Sequence, residues 1–276
     1  MNLKSKVKAF YKSVVFNLSA SNNVLYTLYY CLFYKPEKGS FDDFTSRFSK
    51  SNGIVTVVQI GANDGINNDP IHKFIKRDHW QGVLLEPQKY VFEKYLEPLH
   101  RRTKGINVIN AALDKRDGFR SIYKISVSNS RWATGLASFD RKILEEAVKS
   151  GYVDIHAEKE GCLLPENKDD YITKENVRCI SAATLLIIGR TEKIDWLQVD
   201  TEGFDFEVIK IFDIGLTKPT VIVFENLHLS STLKEECAKH LKIHGYVSRD
   251  YGANTLAMRN PPEEFKQFFD QMKTLD

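Results

Sequence analysis

Apolar runs of strand length alternate along this chain with stretches of helical periodicity. Ile54 to Ile60 is the first such run, and Gly61-Ala62-Asn63-Asp64-Gly65 turns the chain after it. Beyond the turn, Asp69 can cap a helix, Pro70 suits its opening, and Ile71, Phe74 and Ile75 share one face. Val83-Leu84-Leu85 is a second strand, ending in Glu86-Pro87. Tyr90, Val91, Tyr95, Leu96 and Leu99 then mark an amphipathic helix, with Pro98 near its end. Ile106 to Leu113 reads as a third strand and Phe119 to Ile125 as a further one. From Ser126 to Asn176 the alternation fails, apart from a helix signal at Leu144 to Val148. An interruption of this length inside a compact domain is a candidate cap. The pattern returns at Val177 to Ile180, at Ile194 to Val199 ending in Asp200, and at Pro219 to Phe224 ending in Glu225. Gly245-Tyr246-Val247 and Thr255 to Met258 predict a terminal hairpin. Strands alternating with helices predict an α/β fold with a mainly parallel sheet.

In such sheets ligands bind outside the carboxyl ends of the strands. Glycine there lets a ligand approach the backbone, and the helix that follows offers unpaired N–H groups. Glu86 stands 21 positions after Gly65, where a carboxylate can accept hydrogen bonds from both hydroxyls of a ribose. A dinucleotide site calls for G-x-G-x-x-G, and the third glycine is missing here. The pattern therefore favours an adenosyl ligand without a pyrophosphate. Ala111 and Ala112 are small enough to let a flat adenine in. Glu86, Asp200 and Glu225 each end a strand, and together they outline one pocket.

Composition changes this picture little. The chain has 276 residues, 42% hydrophobic and 27% charged, which suits one α/β domain with embellishments. A net charge of +3 gives no ground for a nucleic-acid partner. The four cysteines (Cys31, Cys162, Cys179, Cys237) are far apart and suggest a reducing compartment, hence the cytoplasm. The amino-terminal region is different. Lys4, Lys6, Lys8 and Lys12 are basic, no acid precedes Glu37, and Val24 to Tyr34 is apolar and aromatic. That run is shorter than the roughly 20 residues of a spanning helix. No small-residue cleavage site follows it, which disfavours a signal peptide. Two readings stay open: an arm lying on the inner face of an anionic membrane, or a helical extension packed on the domain or on a second subunit. The expected division is a helical extension over 1–50 and the α/β domain over 51–276, with the cap at 126–176.

Four blocks in this order resemble the FkbM family of S-adenosylmethionine-dependent methyltransferases: V-V-Q-I-G-A-N-D-G, L-L-E-P, I-D-W-L-Q-V-D-T-E-G-F-D and V-I-V-F-E-N. The resemblance runs from about Ile54 to Met258. It implies a class I methyltransferase sheet, Rossmann-like, with seven strands in the order 3-2-1-4-5-7-6 and strand 7 antiparallel. It implies that Gly61, Ala62, Asn63, Asp64 and Gly65 border the methionine moiety, that Glu86, beside Pro87, holds the ribose, and that Asp200 lies near the methyl donor. Gln59 departs from the pattern, because such enzymes often carry Asp there; it can still hydrogen-bond the ligand but supplies no charge.

Methyl transfer to a hydroxyl needs a way to remove the proton. Asp200 and Glu225 with His228 offer a base arrangement in which His228 takes it. Asp200, Glu225 and Asn226 offer instead an oxygen-ligand magnesium site. The resemblance implies a hydroxyl acceptor on a sugar or another natural product, with a surface glycan or glycolipid fitting best. Trp132 and Tyr152 are candidates to stack on sugar faces, whereas Trp196 lies within a strand and belongs to the core. Two other classes remain: a nicotinamide-dependent oxidoreductase, and a non-catalytic module that binds an adenosyl ligand.

Overall fold

The computed structural model describes residues 3–270; within it the side chains of Lys4, Lys6 and Lys8 lie outside the described set. Among the described residues, ten strands form two sheets. They are β1 (Thr56–Ile60), β2 (Gln81–Leu85), β3 (Ile106–Ile109), β4 (Ala112–Leu113), β5 (Gly118–Ile125), β6 (Ile172–Ile180), β7 (Trp196–Val199), β8 (Val221–Glu225), β9 (Tyr246–Tyr251) and β10 (Asn254–Arg259). The larger sheet has the order β3-β2-β1-β7-β8-β10-β9. All its pairings are parallel except those of β10, which runs antiparallel to both β8 and β9. Counted within this sheet alone, the order is 3-2-1-4-5-7-6 with the seventh strand reversed.

The central strands are apolar on both faces because helices cover both faces. Val58 and Ile60 of β1 point into one core with Leu197, Val208 and Ile222. Val57 points into the other, with Trp196, Trp80 and Phe74. Aromatic rings fill this second core: the centroids of Trp80 and Trp196 lie 5.4 Å apart. Three helices precede β1: α1 (Leu3–Ala20), α2 (Val24–Leu32) and α3 (Phe41–Asn52). Ser40 caps α3, its hydroxyl accepting from the Asp43 N–H at 3.1 Å. Phe44 and Phe48, one turn apart on α3, are fully buried among Trp196, Phe265 and Phe268. A boundary at residue 50 therefore cuts α3 away from the core that it completes. Only α1 and α2 lie outside that core.

Two further expectations need correction. Ile106 to Leu113 is not one strand. The chain breaks at Asn110, whose amide donates to the Glu86 and Pro87 carbonyls (2.8 and 3.0 Å), and β4 leaves for the smaller sheet. The cap is shorter than 126–176, because β6 begins at Ile172 and pairs antiparallel with β5 along its length. Between those two strands lie the helices Arg131–Thr134, Arg141–Lys149 and Tyr152–Glu160, which carry a small core of their own around Leu144, Val148 and Val153.

Candidate active site

The ends of β1 and β2 hold each other. The N–H groups of Gly61 and Ala62 both donate to the Leu85 carbonyl, at 3.1 and 2.8 Å. The Glu86 carboxylate accepts from the Asn63 N–H at 2.8 Å on one oxygen, and from the Gln88 N–H at 2.7 Å on the other. Gly61 has φ +80°, and a Cβ there would sit 1.8 Å from the Asp200 carbonyl oxygen. The β1 turn thus passes against the end of β7, and only glycine fits. Asp69 stands just before the helix His72–Asp78 and accepts from the N–H groups of Ile71 and His72 at 2.8 and 2.9 Å.

These turns form one wall of a narrow cleft. Gly61, Asn63, Glu86, Pro87, Ala111 and Ala112 line it, with Asp200 and Glu202 at its mouth. Burial pushes the Glu86 carboxyl up to about 7, against the hydrogen bonds from Gln88 and Asn63 that favour its charged form. Four residues expected at the cofactor are not on the wall of this cleft. Gln59 is buried behind it and donates to Asp69 at 2.9 Å. Ala62 and Gly65 are turned away, the latter packed toward Leu96 and Leu99. Asp64 faces the neighbouring cavity instead.

That cavity, of about 1250 Å³, opens beside the cleft and shares Asp200 and Glu202 with it. Glu225, His228, Trp132 and Tyr152 also line it. His228 Nε2 lies 3.1 Å from Glu202 and 3.9 Å from Glu225. The hydrogen bond to Glu202 is the main cause that raises the His228 pKa. Burial, then the Glu202 and Asp205 carboxylates, push Glu225 up to about 7. Burial and the same group of acids, Glu202 first, hold Asp200 well above the carboxylate range. The acids crowd because the turn after β7 is folded tightly over the buried Asp205, whose carboxylate accepts from the Thr201 and Gly203 N–H groups at 3.3 and 3.2 Å.

The expected set of Asp200, Glu225 and Asn226 is not what the structure gathers as a candidate ion site. Asn226 is buried, and its amide donates to Thr255 at 2.9 Å, tying β8 to β10. Glu202, Glu225 and His228 come together instead, each with one ligand atom within 4.8 Å of the others. Two further residues have no strand-end position to mark them in the sequence. Glu202 belongs to the quoted D-T-E-G block but follows β7 by several residues. Arg131, from the first cap helix, lines both the cleft and the cavity, and its Nε is buried without a partner. Its positive charge lowers the pKa values of Glu86, Asp200 and Glu225. The same helix closes the cleft from above, the Thr134 carbonyl accepting from Asn63 at 3.1 Å and from Gln88 at 2.8 Å.

A parallel sheet with one reversed strand, a glycine turn and an acid at successive strand ends, and a cap over the crevice make up the class I methyltransferase fold. The family model described as the methyltransferase FkbM domain matches residues 59–252. The chain belongs to the FkbM methyltransferase family. Among solved structures it is similar to methyltransferase FkbM from Methylobacillus flagellatus KT, at 11% identity and a TM-score of 0.44, over 91% of this chain and 60% of that one. It is also similar to the delta-N METTL16 MTase domain, at 12% identity and a TM-score of 0.37, over 90% of this chain and 96% of that one. No curated protein matches.

Proposed function

We propose that the protein transfers a methyl group from S-adenosylmethionine to a hydroxyl of a carbohydrate acceptor. The observation that carries this reading is the placement of Glu86. Its two oxygens are held by backbone N–H groups at the end of β2, on the wall of a cleft whose mouth opens onto the acids and His228. The donor set suits the adenosyl ligand: an acceptor carboxylate for the ribose, Ala111 and Ala112 as a flat slot, and Gly61 with Asn63 beside Asp200. When bound, that ligand supplies an electrophilic methyl group.

The chain supplies the rest. In the larger cavity, Trp132 and Tyr152 form an edge-on aromatic pair 6.4 Å apart, a surface for a sugar ring. His228 takes the hydroxyl proton at Nδ1, because its Nε2–H is donated to Glu202, which holds the ring and stabilises the imidazolium. Arg131 offsets the charge of the surrounding acids and can pair with an anionic group on the acceptor. A divalent ion at Glu202, Glu225 and His228 is the other route to an ionised hydroxyl. An imidazole among the ligands would favour a transition metal over magnesium.

Calorimetric titration with S-adenosylmethionine, followed by methyl transfer to carbohydrate acceptors with and without a chelator, tests this. Asp200→Asn and His228→Ala are each expected to lower kcat by about 100-fold or more while the protein stays folded. Unchanged turnover in His228→Ala would remove the base assignment. Absence of adenosyl binding by the native protein would remove the whole reading.

A further inference from the structure

The first two helices are fastened to the domain on one side only. Ser19, at the end of α1, is buried, and its hydroxyl lies 2.8 Å from His72 Nε2. The buried Lys76 ammonium donates to the Ser19 carbonyl at 3.1 Å and to the Asn22 side chain at 2.9 Å. Asn22 donates in turn to the Arg102 carbonyl. These polar contacts fix the turn between α1 and α2 on the body of the protein.

Among the described residues, the other side of both helices has no partner. On α1, Val7, Phe10, Tyr11 and Val14 recur at the spacing of one helical face and are all exposed. On α2, Leu25, Leu28, Tyr29 and Leu32 repeat the pattern, with Phe33 just beyond. Phe10, Leu25 and Phe33 are 72, 70 and 73% exposed, and exposed apolar residues are grouped here on two successive helices rather than scattered singly. The charge carried by these two helices has one sign. No acid occurs before Glu37, Lys12 is exposed on α1, and Arg101 and Arg102 are exposed where the turn is anchored. Two copies meeting through this face would bring their basic residues together without acids to offset them. An anionic lipid surface complements both the apolar stripes and the charge. Neither helix is long and apolar enough to cross a membrane, which leaves them to lie on one.

The same helix reaches the acceptor cavity. Lys12, Ser13 and Phe16 line its rim, and Phe16 packs edge-on against Tyr95 at 6.1 Å. We propose that the exposed faces of α1 and α2 dock the protein on an anionic bilayer, setting the rim of the cavity beside an acceptor anchored in that bilayer. The membrane contact stands independently of the chemistry; the anchored acceptor rests on the methyl-transfer reading.

The test is co-sedimentation of the full chain with vesicles of phosphatidylcholine alone and of phosphatidylcholine mixed with phosphatidylglycerol. Binding is expected to the mixed vesicles only, and to weaken as salt is raised. The combined variant Phe10→Gln, Leu25→Gln, Phe33→Gln is expected to abolish it, with adenosyl-ligand titration unchanged as the control for folding and for the catalytic reading. Lys12→Glu is expected to weaken it about fivefold or more. No partition of the native protein into the mixed vesicles overturns the proposal, as does a triple variant that still binds them. A concentration-dependent dimer lost in the triple variant, without vesicle binding, overturns it in favour of a second copy of this chain.

Discussion

The two walls that meet at Asp200 are built by different means. On the side of the cleft, backbone holds backbone and carboxylate: Leu85 receives two N–H groups from the β1 turn, and Glu86 receives one from each of two turns. On the side of the larger cavity, side chains reach across long stretches of sequence. His228 meets Glu202 from 26 positions away, and Ser138 of the cap donates to the Glu202 carbonyl from 64 positions away, at 2.7 Å. The first wall is fixed by strand pairing before any ligand arrives. The second is set by how the cap and two loops settle on one another, so it is the wall that can vary with the acceptor.

The sharpest way to break this contrast is at Gly61. An alanine Cβ would collide with the Asp200 backbone, which cannot give as a flexible side chain would, and φ is left-handed as well. Gly61→Ala is expected to cost about 4 kcal/mol and to lower Tm by roughly 10 °C. Adenosyl binding should fall with it. A scanning-calorimetry trace like that of the native protein would mean that the two walls are not joined through this contact.

A smaller effect separates ligand binding from folding at Glu86. Ribose hydroxyls donate to a carboxylate, so binding requires the ionised form, and with the pKa raised to about 7 that form is lost as pH falls. Adenosyl affinity is expected to weaken about tenfold per unit below that pKa. Stability runs the other way. The folded pKa lies above the unfolded value, so the contribution of Glu86 is fully present below about 4.5 and is lost as pH rises through about 7. Glu86→Gln should flatten both trends, seen by titrating ligand and by thermal melts across the same pH range. An affinity in the native protein that ignores pH between about 6 and about 8 would count against Glu86 as the ribose acceptor.

The same contrast explains what could be read from the sequence. Strand-end residues on the side of the cleft announce themselves, because an apolar run followed by glycine or an acid is a local pattern. Gly61, Glu86, Ala111 and Ala112 all reach the cleft. Gln59 carries the pattern too but spends its amide on Asp69, and the choice between two buried partners is not a local property. Asn226 likewise follows a strand, yet β10, an antiparallel neighbour, claims its side chain. Arg131 had no pattern at all, since it lies in the stretch where alternation fails. Its role comes from the cap folding back over the strand ends.

The gentlest test lies where the cap meets the turn after β7. Ser138 lines the cleft, and its hydroxyl holds the Glu202 carbonyl, with the Asp140 N–H donating to it at 3.1 Å. Ser138→Ala removes one buried hydrogen bond, worth about 1 kcal/mol. If the cap positions Glu202, and through it His228, kcat should fall about fivefold while the affinity for S-adenosylmethionine holds steady. A loss of adenosyl affinity with kcat unchanged would mean that Ser138 acts through the cleft it lines and not through Glu202. The division between a wall set by backbone and a wall set by the cap would then fail, because the residue that joins cap to loop would be governing the wrong ligand.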